Sequence, residues 1–208
     1  DENNALIISN FEAGYPTDNV VVGLVVSYYS LDGGGGYDSV ASVAYDDTMG
    51  FSENFGQLCG DQGNEYTTEM WALPNPTVEF GDIILDFTGP VSDVVATAVT
   101  FDGVDNSVPI ESACSVEGWP PGSTDINVTV NSGQGYLVFG GATTYFDSGA
   151  NSITPELEIT EFNNQSQGLI VTSNGIKSGA SSTTQMSWTG AVDYPWSAAA
   201  MSLAGLED

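Results

Sequence analysis

The amino-acid sequence predicts an all-β protein, an antiparallel and jelly-roll-like β-sandwich of about 10 to 12 strands. No stretch repeats apolar residues at the positions i, i+3, i+4 and i+7 that mark an amphipathic helix. Short alternating or fully apolar segments recur instead, and clusters of Gly, Asp, Asn and Pro separate them. Short strands with such spacing are typical of sandwiches and jelly rolls, and not of parallel α/β units.

The size and composition of the chain fit one domain. The chain has 208 residues and is 41% hydrophobic, which suffices to bury a sizeable core, and single sandwiches or barrels commonly reach this length. No internal repeat of fixed period is apparent. We therefore expect a single β-sandwich domain over residues 1–208.

Individual strands are predicted from their hydrophobic patterns. Residues 126–131 and 156–160 alternate apolar and polar side chains, which is typical of strands with one wet and one buried face. Residues 20–29, 93–101 and 136–145 are apolar in both phases. Such segments form strands that are covered on both sides, so we expect these three in the middle of the sandwich.

Two further segments carry specific expectations. In residues 77–87 the apolar phase switches midway, which predicts a β-bulge at Gly81 and Asp82. Residues 5–11 form a candidate strand near the start of the chain. Because an unpaired strand can pair with the sheet edge of another subunit, this segment is a candidate for donation to a neighbour.

The charge of the chain is extremely one-sided. It contains 28 Asp and Glu residues, a single basic residue (Lys177) and no His, for a formal net charge of −27. A basic groove that neutralises phosphates is therefore impossible, which excludes nucleic-acid binding, and attachment to anionic lipid is excluded for the same reason. Repulsion between carboxylates is screened at high ionic strength, so the composition suits a halophilic or marine setting. The alternative is an acidic coat that only keeps the protein soluble.

The chain has features expected of an exported protein. No apolar run approaches the roughly 18 to 20 residues that a membrane span requires, so membrane insertion is not expected. The sequence opens at Asp1 without Met, which fits removal of a leader and an extracellular or virion-surface location. Cys59 and Cys114 lie in no metal-binding motif. They are predicted to form a disulfide in an oxidising compartment; the alternative is two buried thiols.

Several motifs occur in a familiar order along the chain. A Glu-Met-Trp strand followed by two prolines occupies residues 69–76, a strand runs into Asp-Gly-Val-Asp-Asn at residues 102–106, and the closing strands carry Trp188 and Trp196. This order resembles generic jelly-roll or β-sandwich modules of prokaryotic extracellular and virion-surface proteins. The resemblance spans most of the chain and brings no catalytic residues with it. It implies attachment, decoration or self-assembly at an exterior.

The catalytic equipment is poor, so we do not expect an enzyme. Without His, neither a Ser-His-Asp nor a Cys-His system is possible. Paired carboxylates, as in jelly-roll glycosidases, are the catalytic class that the composition permits. The first arrangement to test is Glu69 beside Trp71, with Glu79 or Glu65 as partner; the alternative is ordinary packing of a strand Glu beside an aromatic side chain.

Two kinds of ligand are candidates. Trp119 lies in a Gly-Trp-Pro-Pro-Gly loop, where it would either stack on a glycan or fold back to cap the sandwich. No cofactor motif is present, but calcium takes oxygen ligands, and the acidic turns supply them. Asp102 and Asp105 are the first candidate calcium ligands, with solvated turns as the alternative. Further acidic pairs in predicted turns are Asp32 with Asp38 and Asp46 with Asp47.

These observations predict a non-enzymatic structural protein of an exterior surface that is adapted to high salt. It would be a virion capsid or decoration protein, or a subunit of an extracellular filament or coat. Its expected partners are copies of itself or other structural proteins of the virion or cell surface. The alternative function is a carbohydrate-binding or adhesion module with glycans as partners, and a weaker alternative is a glycosidase with paired carboxylates.

Overall fold

All regular structure in the described part of the chain is β-strand. The strands pair antiparallel, so the predicted all-β class and antiparallel sandwich are confirmed. The computed structural model describes residues 5–15, 19–30, 40–47, 49–60, 66–105, 107–118, 124–145, 152–190 and 194–205.

The first eight strands form two sheets that face each other. The strands are β1 (Ala5–Glu12), β2 (Val21–Ser30), β3 (Val40–Asp46), β4 (Ser52–Asn54), β5 (Gly56–Gly60), β6 (Tyr66–Pro74), β7 (Phe80–Phe87) and β8 (Val91–Phe101). The first outer sheet has the order β1-β7-β3-β4, and the first inner sheet has the order β5-β6-β2-β8. We call this pair of sheets the first sandwich.

The remaining strands form a second sandwich. They are β9 (Ile110–Gly118), β10 (Asp125–Asn131), β11 (Leu137–Tyr145), β12 (Thr154–Pro155), β13 (Thr160–Gln167), β14 (Ile170–Ser178), β15 (Thr183–Thr189) and β16 (Trp196–Leu203). The second inner sheet has the order β13-β14-β11-β16-β9, and the second outer sheet has the order β10-β15-β12.

The four sheets stack as layers, with the two inner sheets in the middle. Leu24 and Leu85 pack in the core of the first sandwich, and Val138 and Trp188 pack in the core of the second. A third apolar cluster joins the two inner sheets, and it includes Val21, Val25, Met70, Phe139 and Met201. The inner strands β2 and β11 are therefore buried on both faces, as their two-phase apolar pattern predicts. β8 also lies in an inner sheet, but at its edge.

The described residues form sixteen strands, more than the sequence predicts. Three of them, β4, β5 and β12, have 3, 5 and 2 residues and are too short to show a hydrophobic period. The strand predicted at residues 156–160 is wrong. After Pro155 the chain turns, with the Ile159 amide donating to the Glu156 carbonyl at 3.1 Å, so that Leu157 is fully exposed while Ile159 is buried.

The predicted β-bulge lies on the strand next to the expected one. β7 keeps a constant phase, whereas the register of β1 against β7 shifts between Ile8 and Phe11. Asn10 has a φ of 55° at this shift, and its amide donates to Oδ1 of Asp82 at 2.8 Å. The extra residue is therefore in β1, and Asp82 caps it from the opposite strand.

The two sandwiches repeat one connectivity. The outer sheet order β1-β7-β3 corresponds to β10-β15-β12, and the inner sheet order β5-β6-β2-β8 corresponds to β13-β14-β11-β16. The registers agree, since Leu85 lies opposite Leu6 and Met186 lies opposite Val128. A Thr-Gly pair lies at the end of β7 (Thr88-Gly89) and again at the end of β15 (Thr189-Gly190). The connecting segments differ in length between the halves, which explains why no fixed period is visible in the sequence.

Candidate functional site

Glu69 lies in the core of the first sandwich and not in a surface cleft. Its side chain is fully buried, with an exposed fraction of 0%. Oε1 accepts hydrogen bonds from the Tyr28 hydroxyl at 2.6 Å and from the Val40 amide at 3.2 Å. Oε2 accepts from Trp71 Nε1 at 2.8 Å and from Gln57 Nε2 at 3.1 Å. Donors from four strands, β2, β3, β5 and β6, therefore converge on this carboxylate.

This environment does not favour catalysis by Glu69. Burial raises the pKa of the Glu69 carboxyl above its usual range, and the hydrogen bonds from its four donors oppose that shift. A raised pKa is also a feature of general acids, but a general acid must contact its substrate. Because no part of the Glu69 side chain is exposed, its geometry suits a structural role that links the two sheets of the first sandwich.

The predicted carboxylate partners of Glu69 are not among its described hydrogen-bonding neighbours. Glu65 lies outside the described residues. Glu79 precedes β7, and its backbone carbonyl accepts a hydrogen bond from the Tyr45 hydroxyl at 3.2 Å. Burial is the main cause that raises the pKa of Tyr45 to about 12, and the charges of Glu53 and Glu79 add to it. The backbone carbonyl of Glu79 therefore helps to hold the Tyr45 side chain in place.

Asp102 and Asp105 lie on the segment between β8 and β9. Asp105 Oδ1 accepts hydrogen bonds from the Ser107 hydroxyl at 2.7 Å and the Ser107 amide at 2.8 Å, which lowers the pKa of Asp105 and is typical of an Asx turn. Among the residues with described positions, no group of three or more His, Cys, Asp or Glu side chains is arranged to hold a metal ion. Calcium at Asp102 and Asp105 stays a prediction.

Asp102 also lines a cavity of about 250 Å³ between the ends of β8 and β16. Phe101, Leu137 and Leu203 form apolar walls, and the remaining wall is largely backbone. The cavity offers the Asp102 carboxylate and the Thr100 hydroxyl as side-chain polar groups. Sites for small molecules place several convergent polar groups in an apolar pocket, so this cavity defines no substrate.

The acidic pair at the β3–β4 turn has unusual surroundings. Asp47 Oδ1 accepts hydrogen bonds from the Met49 and Phe51 amides, both at 2.8 Å, and so fixes the turn. Asp46 Oδ1 and Asp47 Oδ2 are buried atoms that have no hydrogen-bond partner among the described residues. A buried carboxylate oxygen without a partner is costly, so each of these two oxygens would gain from a bound cation or water.

Other predicted site residues are only partly described. Trp119, Asp32 and Asp38 lie outside the described residues, so the predictions on them stand as stated. Cys59 lies half-buried in β5, and Cys114 belongs to β9. β5 and β9 are edge strands of the two inner sheets and lie against each other. The backbone therefore brings together the strands that carry the two cysteines, while the disulfide itself stays a prediction.

The outer face of the first outer sheet carries exposed apolar side chains. Ile7 in β1 and Phe80 in β7 are 54% and 48% exposed, and Ile84 lies directly opposite Ile7. Five of the nine exposed large hydrophobic side chains in the described residues belong to this sheet or its adjoining segments, which marks it as a candidate interaction surface. We call the following residues the apolar face: Ile7, Phe80 and Ile84.

The outer face of the second outer sheet is polar. Cross-strand pairs there join Asn127 with Ser187 and Thr129 with Gln185. The described residues of β10 and β15 that point outward include no large apolar side chain: they are Asp125, Asn127, Thr129, Asn131, Thr183, Gln185, Ser187 and Thr189. The two sandwiches share one connectivity but present chemically different outer surfaces.

The sequence pattern alone does not reveal the apolar face. Phe80 and Ile84 share their phase in β7 with Asp82 and Asp86, while the buried phase consists of residues such as Leu85. The sequence signal for this face is the mixture of aspartate and large apolar residues in one phase of β7. The bulge predicted in residues 77–87 places the Phe80 side chain in the core, whereas this side chain is exposed.

Lys177 holds the turn that replaces the predicted strand at residues 156–160. Its Nζ lies 2.5 Å from Glu156 Oε1 and 3.0 Å from Glu158 Oε2, and it donates to the Gln185 carbonyl at 3.0 Å. Burial lowers the pKa of Lys177, but the hydrogen bonds and charges of the two glutamates outweigh it, and the net shift is upward. The single basic residue of the chain therefore has a structural role.

Comparisons with known proteins yield no relative. No protein-family model, no curated protein and no solved structure matches the chain. In the described part of the chain, no helix is long and apolar enough to cross a membrane. The functional argument therefore depends on the surfaces and side chains of this chain alone.

Proposed function

We propose that the chain is a non-enzymatic structural module of an exterior surface, which associates with copies of itself or with other structural proteins. The observation that carries this proposal is the difference between the two outer faces: one carries Ile7, Phe80 and Ile84 among aspartates, and the other carries no large apolar side chain among its described residues. Large contiguous apolar patches on a soluble protein are usually interaction sites. A module that docks by one face and presents the other to solvent has the same arrangement.

The dimensions of the apolar face support weak single contacts. The sheet has three strands of 8, 8 and 7 residues and a fourth of 3 residues. At about 4.8 Å between strands and about 3.3 Å per residue, its face measures on the order of 400 Å². A stable interface buries about 800 Å² on each partner. One such contact would be weak by itself, whereas many contacts on a particle or filament would together be stable.

The charge of the chain supports a salty environment for this association. Each copy carries a formal net charge of −27, so two copies repel strongly at low ionic strength. At molar salt the Debye length is about 3 Å, and the repulsion is largely screened while the apolar contact remains. A virion capsid or decoration protein, or an extracellular filament or coat subunit, at high salt would meet these conditions.

A carbohydrate-binding or adhesion module is the second candidate, because tyrosines cluster where several strands end. The ring centroids of Tyr29 and Tyr66 are 5.1 Å apart, those of Tyr66 and Tyr145 are 5.8 Å apart, and those of Tyr145 and Tyr194 are 5.0 Å apart. β9 ends at this side of the molecule, immediately before Trp119. Aromatic rings such as these tyrosines offer large flat apolar surfaces with a polar edge, which suits stacking on a sugar ring.

Two experiments separate these candidates. Quantitative mass spectrometry of purified virions and of cell-surface fractions from the source organism should recover the chain at structural copy number if it is a coat or decoration protein. Recovery only in a cytosolic fraction would contradict the proposal. A glycan array with the purified chain should show no specific binding; specific binding that Trp119→Ala abolishes would favour the carbohydrate-binding alternative.

A further inference from the structure

The two sandwiches differ at one edge of their inner sheets. In the second sandwich β9 pairs with the edge of β16 at eight registered positions, from Trp196 opposite Gly118 to Leu203 opposite Ile110. β8 corresponds to β16 in the first sandwich. It pairs with β2 on one side and has no partner strand on its other side within the described ranges. β9 therefore has no described counterpart in the first sandwich.

The burial of equivalent residues on β16 and β8 follows this difference. Ala198 and Ala200 of β16 face the core of the second sandwich and are 0% exposed. The corresponding Ala96 and Ala98 of β8 face the core of the first sandwich and are only partly buried. The same small side chains are thus fully buried where β9 is present and only partly buried where the described residues contain no equivalent of β9.

The strands that adjoin this edge in the outer sheets show the same contrast. Val128 and Val130 of β10, which β9 also packs against, are 1% and 2% exposed. Their counterparts Leu6 and Ile8 of β1 are only partly buried, although they pack on the same side of their core. The first core is therefore less covered along the rim between β1 and β8, except at the end where the Thr100 hydroxyl donates to the Glu12 carbonyl at 2.9 Å.

The chemistry of the β8 edge suits strand addition. Residues 95–101 contain no charged side chain, and all of them before the final Phe are alanine or β-branched. Edge strands in proteins that avoid pairing usually carry charges, prolines or bulges. In β8 the bulge is confined to the start of the strand, where Asp93 has a φ of 56° and the register shifts. The rest of the edge has no further register shift against β2 and no charged side chain.

We propose that the free edge of β8 binds a β-strand that resembles β9 and is donated by another polypeptide of the same surface assembly. This proposal rests on the function proposed above. The donated strand would run antiparallel to β8, as β9 runs to β16. Its alternate side chains would cover Ala96 and Ala98 at the rim of the first core. The opposite face of β8 already contacts the second sandwich, because Asn163 and Asn174 both donate to the Thr97 hydroxyl.

The chain itself supplies the probe for this site. The test uses a dye-labelled synthetic peptide with the sequence of residues 110–118, with serine in place of Cys114, added to the intact chain at molar KCl. A peptide with Ser115→Pro and Val116→Pro is the matched control, because adjacent N–H groups point to opposite sides of a strand and one of the two prolines therefore removes a ladder donor. Fluorescence anisotropy should show saturable binding at least tenfold tighter for the first peptide. Hydrogen exchange should slow at residues 95–101 and not on the second outer sheet.

Three results would overturn the proposal. The first is no saturable binding, and the second is equal binding of the two peptides. The third is spontaneous pairing of β8 with β8 of a second copy, seen as protection of residues 95–101 without peptide and cross-links between those residues. In that case a second copy occupies the edge, and the assembly function stands without strand donation. Loss of association on changing the apolar face tests the assembly function separately, since those residues lie on another surface.

Discussion

The indole Nε1 of Trp71 donates a 2.8 Å hydrogen bond to Oε2 of Glu69, two residues earlier on the same face of β6. The bond belongs to a group of four donors that bind one buried carboxylate and link the inner sheet to the Val40 amide in the outer sheet. In a chain with 28 acidic residues, this one stabilises the core instead of the surface.

Replacing Glu69 by Ala should strongly destabilise the first sandwich. The substitution leaves the Tyr28, Val40, Gln57 and Trp71 donors buried without an acceptor, and each orphaned buried donor costs about 1–3 kcal/mol. We expect the free energy of unfolding to fall by at least about 3 kcal/mol, measured by urea unfolding followed by Trp fluorescence. The exposed Glu12→Ala is the control, with an expected change below about 0.5 kcal/mol. Equal effects of the two substitutions would contradict this role.

The raised pKa of Glu69 gives stability a defined pH dependence. A carboxyl whose pKa is higher in the folded state binds a proton on folding, so its contribution is fully present below its ordinary pKa of 4.5 and is lost as the pH rises through the folded pKa. The stability of the native chain relative to Glu69→Gln should therefore decrease as the pH rises above 4.5. If the free energy of unfolding changed with pH in the same way for the two proteins, the claim that folding raises the pKa of Glu69 would be contradicted.

Lys177 should be necessary for the turn that follows β12. Lys177→Met removes three hydrogen bonds, two of them to carboxylates, and leaves Glu156 and Glu158 to repel each other. Hydrogen bonds to charged groups contribute about 1.5–3 kcal/mol, so we expect a loss of about 2 kcal/mol and faster hydrogen exchange in residues 152–160. Lys177→Arg should retain most of the stability. The raised pKa means that this contribution is lost only as the pH rises above the ordinary lysine value of 10.5.

Calcium binding can be tested at two acidic pairs. We expect calcium to raise the melting temperature of the chain through the turn at Asp46 and Asp47, because Asp46 Oδ1 and Asp47 Oδ2 are buried and have no described hydrogen-bond partner. Asp46→Asn combined with Asp47→Asn should abolish the effect in differential scanning calorimetry. Loss of the effect in Asp102→Asn with Asp105→Asn instead would locate the ion at the pair that the sequence predicts. No calcium effect on the native chain would exclude both.

The predicted disulfide between Cys59 and Cys114 has a direct measurement. The intact chain, unfolded without reductant, should show no thiol that reacts with Ellman's reagent. Reduction should lower the free energy of unfolding by roughly 3–4 kcal/mol, as expected for closing a long loop. Two reactive thiols in the unfolded, unreduced chain would support the alternative of buried thiols.

Local patterns predict the strands well and the layers poorly. Alternation in β10 gives its buried and exposed faces correctly, because that strand has one neighbour sheet and one face to solvent. The apolar residues in both phases of β2 and β11 indicate that both faces of these strands are buried. The pattern does not show that a second sandwich buries one of these faces. That arrangement depends on contacts such as Met70 with Met201, which are far apart in sequence.

The candidate sites were less predictable for related reasons. Every residue of β6 from Tyr66 to Leu73 is buried, so no alternation shows which way Glu69 points. The segment at residues 156–160 alternates like a strand, yet Pro155 and the distant Lys177 hold it as a turn. The rim between β1 and β8 is recognisable only by comparing the two halves of the folded chain.

Sedimentation velocity at low and molar KCl tests the central claim most directly. The apolar-face variant combines Ile7→Thr with Phe80→Thr. The control combines Thr129→Ser with Gln185→Thr on the polar face. We predict that the native chain and the control associate as salt rises, and that the apolar-face variant stays monomeric. A native chain that stays monomeric at molar salt, or an apolar-face variant that associates as the native chain does, would contradict the claim that this face is the docking surface.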